Sequence, residues 1–104
     1  MIYRMRTYKI FPEQYEVFTD FFHNYLLPNQ LTFGSKLVGR WTNEKKNEIV
    51  AIWKYDSIEK YEKIEKQIQK TELHRDAQTI KKQLGELYIE TNQTFWESTG
   101  KYEQ

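Results

Sequence analysis

Residues 36–66 read KLVGRWTNEKKNEIVAIWKYDSIEKYEKIEK, and this stretch decides the fold. Its runs 36–42 and 48–55, rich in β-branched and aromatic residues, predict two strands. The polar segment NEKKN at 43–47 joins them as a hairpin. Directly after the second strand stand Asp56 and Ser57, both N-cap types, with Glu59 three residues beyond Asp56 as in a capping box. Ile58, Tyr61, Ile64 and Ile68 follow at helical spacing and give that helix one buried face.

Working outward, residues 2–10 predict a strand. Tyr3, Met5 and Thr7 fall on one face, and Arg4, Arg6, Tyr8 and Ile10 on the other. Pro12 suits the first turn of a helix, where its missing N–H costs nothing. Tyr15, Phe18, Phe22, Tyr25 and Leu26 form an apolar stripe. Pro28 predicts a kink, with the helix resuming to Phe33 and stopping at Gly34. Downstream, Thr71 caps a second helical segment carrying Leu73, Ala77, Ile80 and Leu84, and Gly85 ends it. Residues 87–96 predict a last strand. Residues 1–96 then make one domain, and 97–104 a polar C-terminal tail.

The order is strand, helix, strand, strand, helix, strand. It predicts an α+β, ferredoxin-like βαββαβ fold: a four-stranded antiparallel sheet with its helices on one face. The other face requires water, a ligand or a second subunit. The 104 residues suit a single domain. Only 38% are hydrophobic, while 16% are aromatic, so a few large rings carry much of the buriable area. A partner subunit relieves that shortage.

Net charge +1 gives no reason to expect nucleic acid or an anionic membrane surface. With no Cys, disulfides and thiolate metal sites are excluded. The opening MIYRMRTYKI lacks the apolar run of a signal peptide, and no stretch approaches the ~20 apolar residues of a membrane span. The expected location is cytoplasmic.

Several segments resemble the NIPSNAP family: YRMRTYKIFPEQYEVF, LLPNQLTFGSKLVGRW, NEIVAIWKYDSIEKYEKIEK and ELHRDAQ. Arg6-Thr7-Tyr8, the helix end from Leu27-Pro28 to Gly34, Gly39-Arg40-Trp41 and Trp53-Lys54-Tyr55-Asp56-Ser57 are the most telling pieces, and the resemblance runs from Tyr3 to about Phe95. It implies a dimeric α+β barrel in which two open sheet faces pack together. Related barrels include cofactor-free antibiotic-biosynthesis-type monooxygenases, haem binders and lactone isomerases. The resemblance implies a fold and a cavity, but no reaction.

Arg4 and Arg6 share a strand face. Since helices pack on apolar faces, this face is expected to be the open one, with Glu90 on the neighbouring last strand as ionic partner. A structural ion pair and recognition of a carboxylate or phosphate both account for such arginines. Tyr8, Trp53 and Trp41 join Arg6 and Arg4 as expected ligand-binding residues, because several rings together make an aromatic cavity. His74 borders the apolar stripe of its helix. The resemblance puts it near a histidine common in monooxygenase-type barrels, which makes it a weak catalytic candidate beside the plainer reading as a helix-end histidine. His23 has a stronger claim to a surface role. No metal and no cofactor are expected. Lys60, Lys63, Lys66 and Lys70 alternate with Glu59, Glu62 and Glu65, which describes a solvated helix face.

The expected function is binding of a small ligand, in a cavity between sheet and helices or at a homodimer interface. The alternative is a cofactor-independent monooxygenase or isomerase. An RNA-binding module is disfavoured, because EIVAIWKY lacks the glycines and the flanking basic residue of an RNA recognition strand.

Overall fold

A computed structural model describes residues 1–102. Its strands are β1 (Ile2–Lys9), β2 (Lys36–Thr42), β3 (Glu48–Tyr55) and β4 (Glu90–Glu97). They form one antiparallel sheet in the order β2-β3-β1-β4. The helices are α1 (Tyr15–Phe21), α2 (Leu27–Thr32), α3 (Ile58–Gln69) and α4 (Glu72–Leu84). A short 3₁₀ turn, Pro12–Gln14, leads into α1. The fold is the ferredoxin-like α+β arrangement that the element order predicts. Of the polar tail expected over 97–104, residue 97 closes β4, and the last two residues lie outside the described residues.

Local chemistry sets most boundaries. The chain between α1 and α2 widens into a π-turn, Phe22–Leu26, and Pro28 enters at the first turn of α2. Just before it the Leu27 N–H donates to the Phe22 carbonyl, five residues back, and the helix continues past the proline to Thr32. Gly34, at φ +104°, then closes it. Ser57, and not Asp56, caps α3 by accepting the Lys60 N–H, so the expected Asp56–Glu59 box is not formed. Thr71 caps α4 in the same way through the His74 N–H. Gly85, at φ +79°, ends α4. The last strand starts later than expected, at Glu90, because Leu87 is buried as a plug of the core before the sheet begins.

Alternate residues of β3 are buried: Ile49, Ala51, Trp53 and Tyr55. Register places Tyr8, Arg6, Arg4 and Ile2 of β1 opposite them, on the same face. Phe18 and Phe21 of α1, Phe22 of the π-turn, Ile64 and Ile68 of α3 and Ala77 of α4 close over that face. The arginine face is therefore the helix-covered one, which corrects the expectation that it is open. The face left bare carries Tyr3, Met5 and Thr7 with Val50 and Ile52. The molecule is only 21 Å thick along its shortest axis, the depth of one sheet and one helix layer. Its radius of gyration, 14.4 Å, exceeds the about 13 Å of a rounder chain of this length, as a two-layer slab should.

Candidate functional site

The buried core is split in two. One cluster centres on Ile10, Phe18, Phe21, Ile49, Ala77 and Leu87, the other on Phe22, Trp53, Tyr55, Ile64 and Ile68. Between the Ile49 and Trp53 rows of the sheet lies a polar one. It runs Arg40 on β2, Ala51 on β3, Arg6 on β1 and Gln93 on β4, each opposite the next in register. A cavity of about 190 Å³ opens on the helix side of this row. Arg4, Arg6, Arg40, Tyr8 and Trp53 line it from the sheet, and Phe22, Leu26, Glu65, Ile68 and His74 line it from the helical layer.

Arg40 reaches the cavity through an irregularity. Strict alternation puts residues 37, 39 and 41 on one face, but the β2–β3 register shifts between Leu37 and Gly39. Val38 is the extra residue, a β-bulge. After it Arg40 lies opposite Ala51 and turns towards the helices, while Trp41 lies opposite Val50. Leu37 and Arg40 thus share the helix face three residues apart. Trp41, expected in the cavity, stands on the bare face and is 51% exposed. Its ring folds across Gly39, where a Cβ would overlap it.

The three guanidiniums are held differently. Arg4 is 6% exposed. Its Nε donates to Gln93 Oε1 at 2.6 Å, its Nη1 lies 3.4 Å from Glu65 Oε1, and its guanidinium stands over the Tyr61 ring. Arg6 Nη2 donates to Thr91 Oγ1 at 3.1 Å, with its guanidinium against the Tyr8 ring. Arg40 Nη1 donates to Thr19 Oγ1 at 3.0 Å, and its guanidinium carbon lies 4.6 Å from the Phe22 ring centre. Among the described residues Arg6 Nε and Arg40 Nη2 are buried without a hydrogen-bond partner. The expected Arg6–Glu90 pair does not form. Glu90 lies opposite Lys9, points to the other face of the sheet, and pairs with Lys9 at 3.2 Å. That contact is exposed and contributes little.

Among the described residues Glu65 is the one carboxylate lining the cavity, against three arginines. It also accepts from Gln30 Nε2 at 3.2 Å. The Cα atoms of Arg6 and Arg40 are two strand spacings apart, about 10 Å. Three guanidiniums against one carboxylate leave the lining of the cavity with an excess of positive charge. Burial lowers the Arg40 pKa, partly offset by Tyr8 and Tyr15. Burial also raises the Tyr8 phenol, against the opposing pull of Arg6, Arg4 and Arg40.

Four of the five expected binding residues, Arg6, Tyr8, Trp53 and Arg4, thus meet at one cavity, and His74 joins them. His23 is exposed, in edge contact with Phe22. Arg40 and Glu65 are additions that residue type did not single out. Arg40 is hidden by the bulge, whereas Glu65 is readable, since it follows Ile64 and precedes Ile68 at the border of the buried stripe of α3. Lys60, Lys63 and Lys66 on that helix are exposed, as the solvated-face reading holds. Among the described residues no group of three or more His, Asp or Glu is placed to hold a metal ion, and no helix is long and apolar enough to cross a membrane.

Solved structures share this fold over most of their length. An uncharacterised NIPSNAP domain protein from Burkholderia xenovorans superposes with a TM-score of 0.81 at 16% identity, covering 100% of each chain. A NIPSNAP family protein from Agrobacterium tumefaciens gives 0.79 at 12% identity, over 94% of this chain and 92% of that one. A putative antibiotic biosynthesis monooxygenase from Nitrosomonas europaea gives 0.63 at 9% identity, over 96% of this chain and all of that one, at 100%. No functionally curated protein matches the chain. Residues 3–98 match the NIPSNAP family itself, which takes in all four strands but for Ile2 at one edge, and every residue of the cavity: the chain belongs to the NIPSNAP family.

Proposed function

We propose that this protein binds a small anionic molecule in the cavity between sheet and helices, and that it does so as a homodimer in the cytoplasm. The observation that carries the binding reading is the imbalance of charge: three guanidiniums and one carboxylate line a cavity that divides the apolar core. Interrupting a small core with arginines costs stability, and functional sites are where such local rules are broken. The size argues for a small occupant, since about 190 Å³ falls below the roughly 300–1,000 Å³ of pockets for drug-sized ligands. The bare sheet face supports the dimer. The test is mass spectrometry of the native protein, with ligands released by denaturation. Recovery of a small acid at one per chain supports the reading. A protein that carries no anion and takes up none from an acid library refutes it.

A second reading is a cofactor-independent monooxygenase or isomerase. It is favoured by His74 and Tyr8 lining the same cavity, and by the fold shared with antibiotic biosynthesis monooxygenases. A turnover screen on the acids recovered from the protein separates binding from catalysis.

A further inference from the structure

We infer that the ligand is a small monocarboxylate with an apolar body, its carboxylate seated over Ala51 between Arg6 and Arg40. This rests on the reading that the cavity binds an anion. Ala51 lies opposite Arg6 on one side and opposite Arg40 on the other, and its methyl is the smallest side chain of the row. The two arginines thus flank the shortest side chain of the row, which lines the cavity. Each is fixed at one end, Arg6 by Thr91 and the Tyr8 ring, Arg40 by Thr19 and the Phe22 ring. Each keeps one buried nitrogen without a partner, Arg6 Nε and Arg40 Nη2. A carboxylate has two oxygens in a plane, one for each guanidinium, and such charge-assisted bonds are the strong ones.

The other walls decide the rest of the ligand. Phe22, Leu26, Trp53 and Ile68 offer an apolar surface to the body of the molecule. Glu65 already holds Arg4 and Gln30, so a second negative charge on the ligand would meet a carboxylate rather than a free cation. One charge and a short apolar or aromatic body match the cavity as a whole.

The experiment titrates benzoate, its neutral isostere benzamide and inorganic phosphate into the full chain by calorimetry, with the arginine Nε–H signals followed by NMR. Benzoate should bind, benzamide roughly tenfold more weakly or worse, and the Arg6 Nε–H should shift with benzoate. Ala51→Val, which raises the floor, should weaken benzoate about tenfold or more with the melting temperature kept. If that variant does not fold, Arg40→Lys decides, since it keeps the charge and removes the fork. Benzoate affinity unchanged by the variant that folds, or benzamide binding equally well, overturns the seat over Ala51 while leaving a cavity that binds ligands. Phosphate binding tighter than benzoate overturns the monocarboxylate and leaves an anion site. If none of the three binds and no acid is recovered from the native protein, the binding reading has failed and this inference fails with it.

Discussion

Tyr8 and Tyr55 hold their phenolic protons more tightly than a free tyrosine, because burial penalises the phenolate more than the neighbouring arginines favour it. The sign of the consequence follows from linkage. Above about pH 10 an unfolded tyrosine releases its proton, while these two in the folded chain keep theirs. The unfolded state then binds fewer protons than the native state, so stability falls as pH rises through that range and is unaffected below it. Phenolate absorbance should show a late-titrating component from Tyr8 and Tyr55, in step with loss of stability above about pH 10. Tyr8→Phe should remove part of that alkaline loss; the same loss in the variant would contradict the assignment. His74 is tested differently. If it handles protons for a reaction, His74→Ala abolishes turnover and leaves the melting temperature nearly unchanged. A loss of stability with turnover kept assigns it to the end of its helix.

The bulge in β2 governs what faces the cavity, and it can be tested by deletion. Removing Val38 takes out the extra residue, so Leu37 and Arg40 still share the helix face and Trp41 still faces away. Removing Val50 from the regular β3 turns every residue after it to the wrong face. The Val38 deletion should therefore melt cooperatively by circular dichroism, and the Val50 deletion should not. Thr71 is the corresponding pivot among the helices. Its Oγ1 accepts from the His74 N–H and from the buried Asn29 Nδ2 and donates to the Ile68 carbonyl. Thr71→Ala removes a cap and strands a buried amide, so urea denaturation should show a loss of roughly 2–3 kcal/mol. Thr71→Ser should recover most of it. At this scale the sequence was readable wherever periodicity and caps speak for themselves: the hairpin at 43–47, the helix resuming past Pro28, the Thr71 cap and the stop at Gly85. The face of β1 is not legible from residue type, because arginines look like solvent residues until a cavity receives them. Trp41 leaves the cavity and Arg40 enters it for another reason. A bulge needs no special residue type, and Val38 looks like any strand residue.

Two layers leave one sheet face without helices over it, and its middle is apolar. Met5 and Thr7 of β1 lie beside Val50 and Ile52 of β3, flanked by Trp41 of β2 and Trp96 of β4. Trp41 is 51% and Trp96 55% exposed. In the homodimer proposed above, a second copy covers this face through a two-fold contact in which both chains present the same residues. A charge near the middle of that face should act twice, once from each chain. Met5→Lys and Ile52→Lys are placed there, opposite each other in register and pointing away from the helices. Light scattering should find the wild-type chain dimeric at micromolar concentration and the double variant monomeric. The cavity is lined on the far side of the same sheet, by residues that are all present in one chain. The monomeric variant should then keep its arginine seat, and the benzoate-dependent shift of the Arg6 Nε–H should persist in it. A wild-type chain that is monomeric at that concentration would sink the dimer. Dimerisation lost together with the arginine shift would mean instead that the partner's face helps to hold the site in shape.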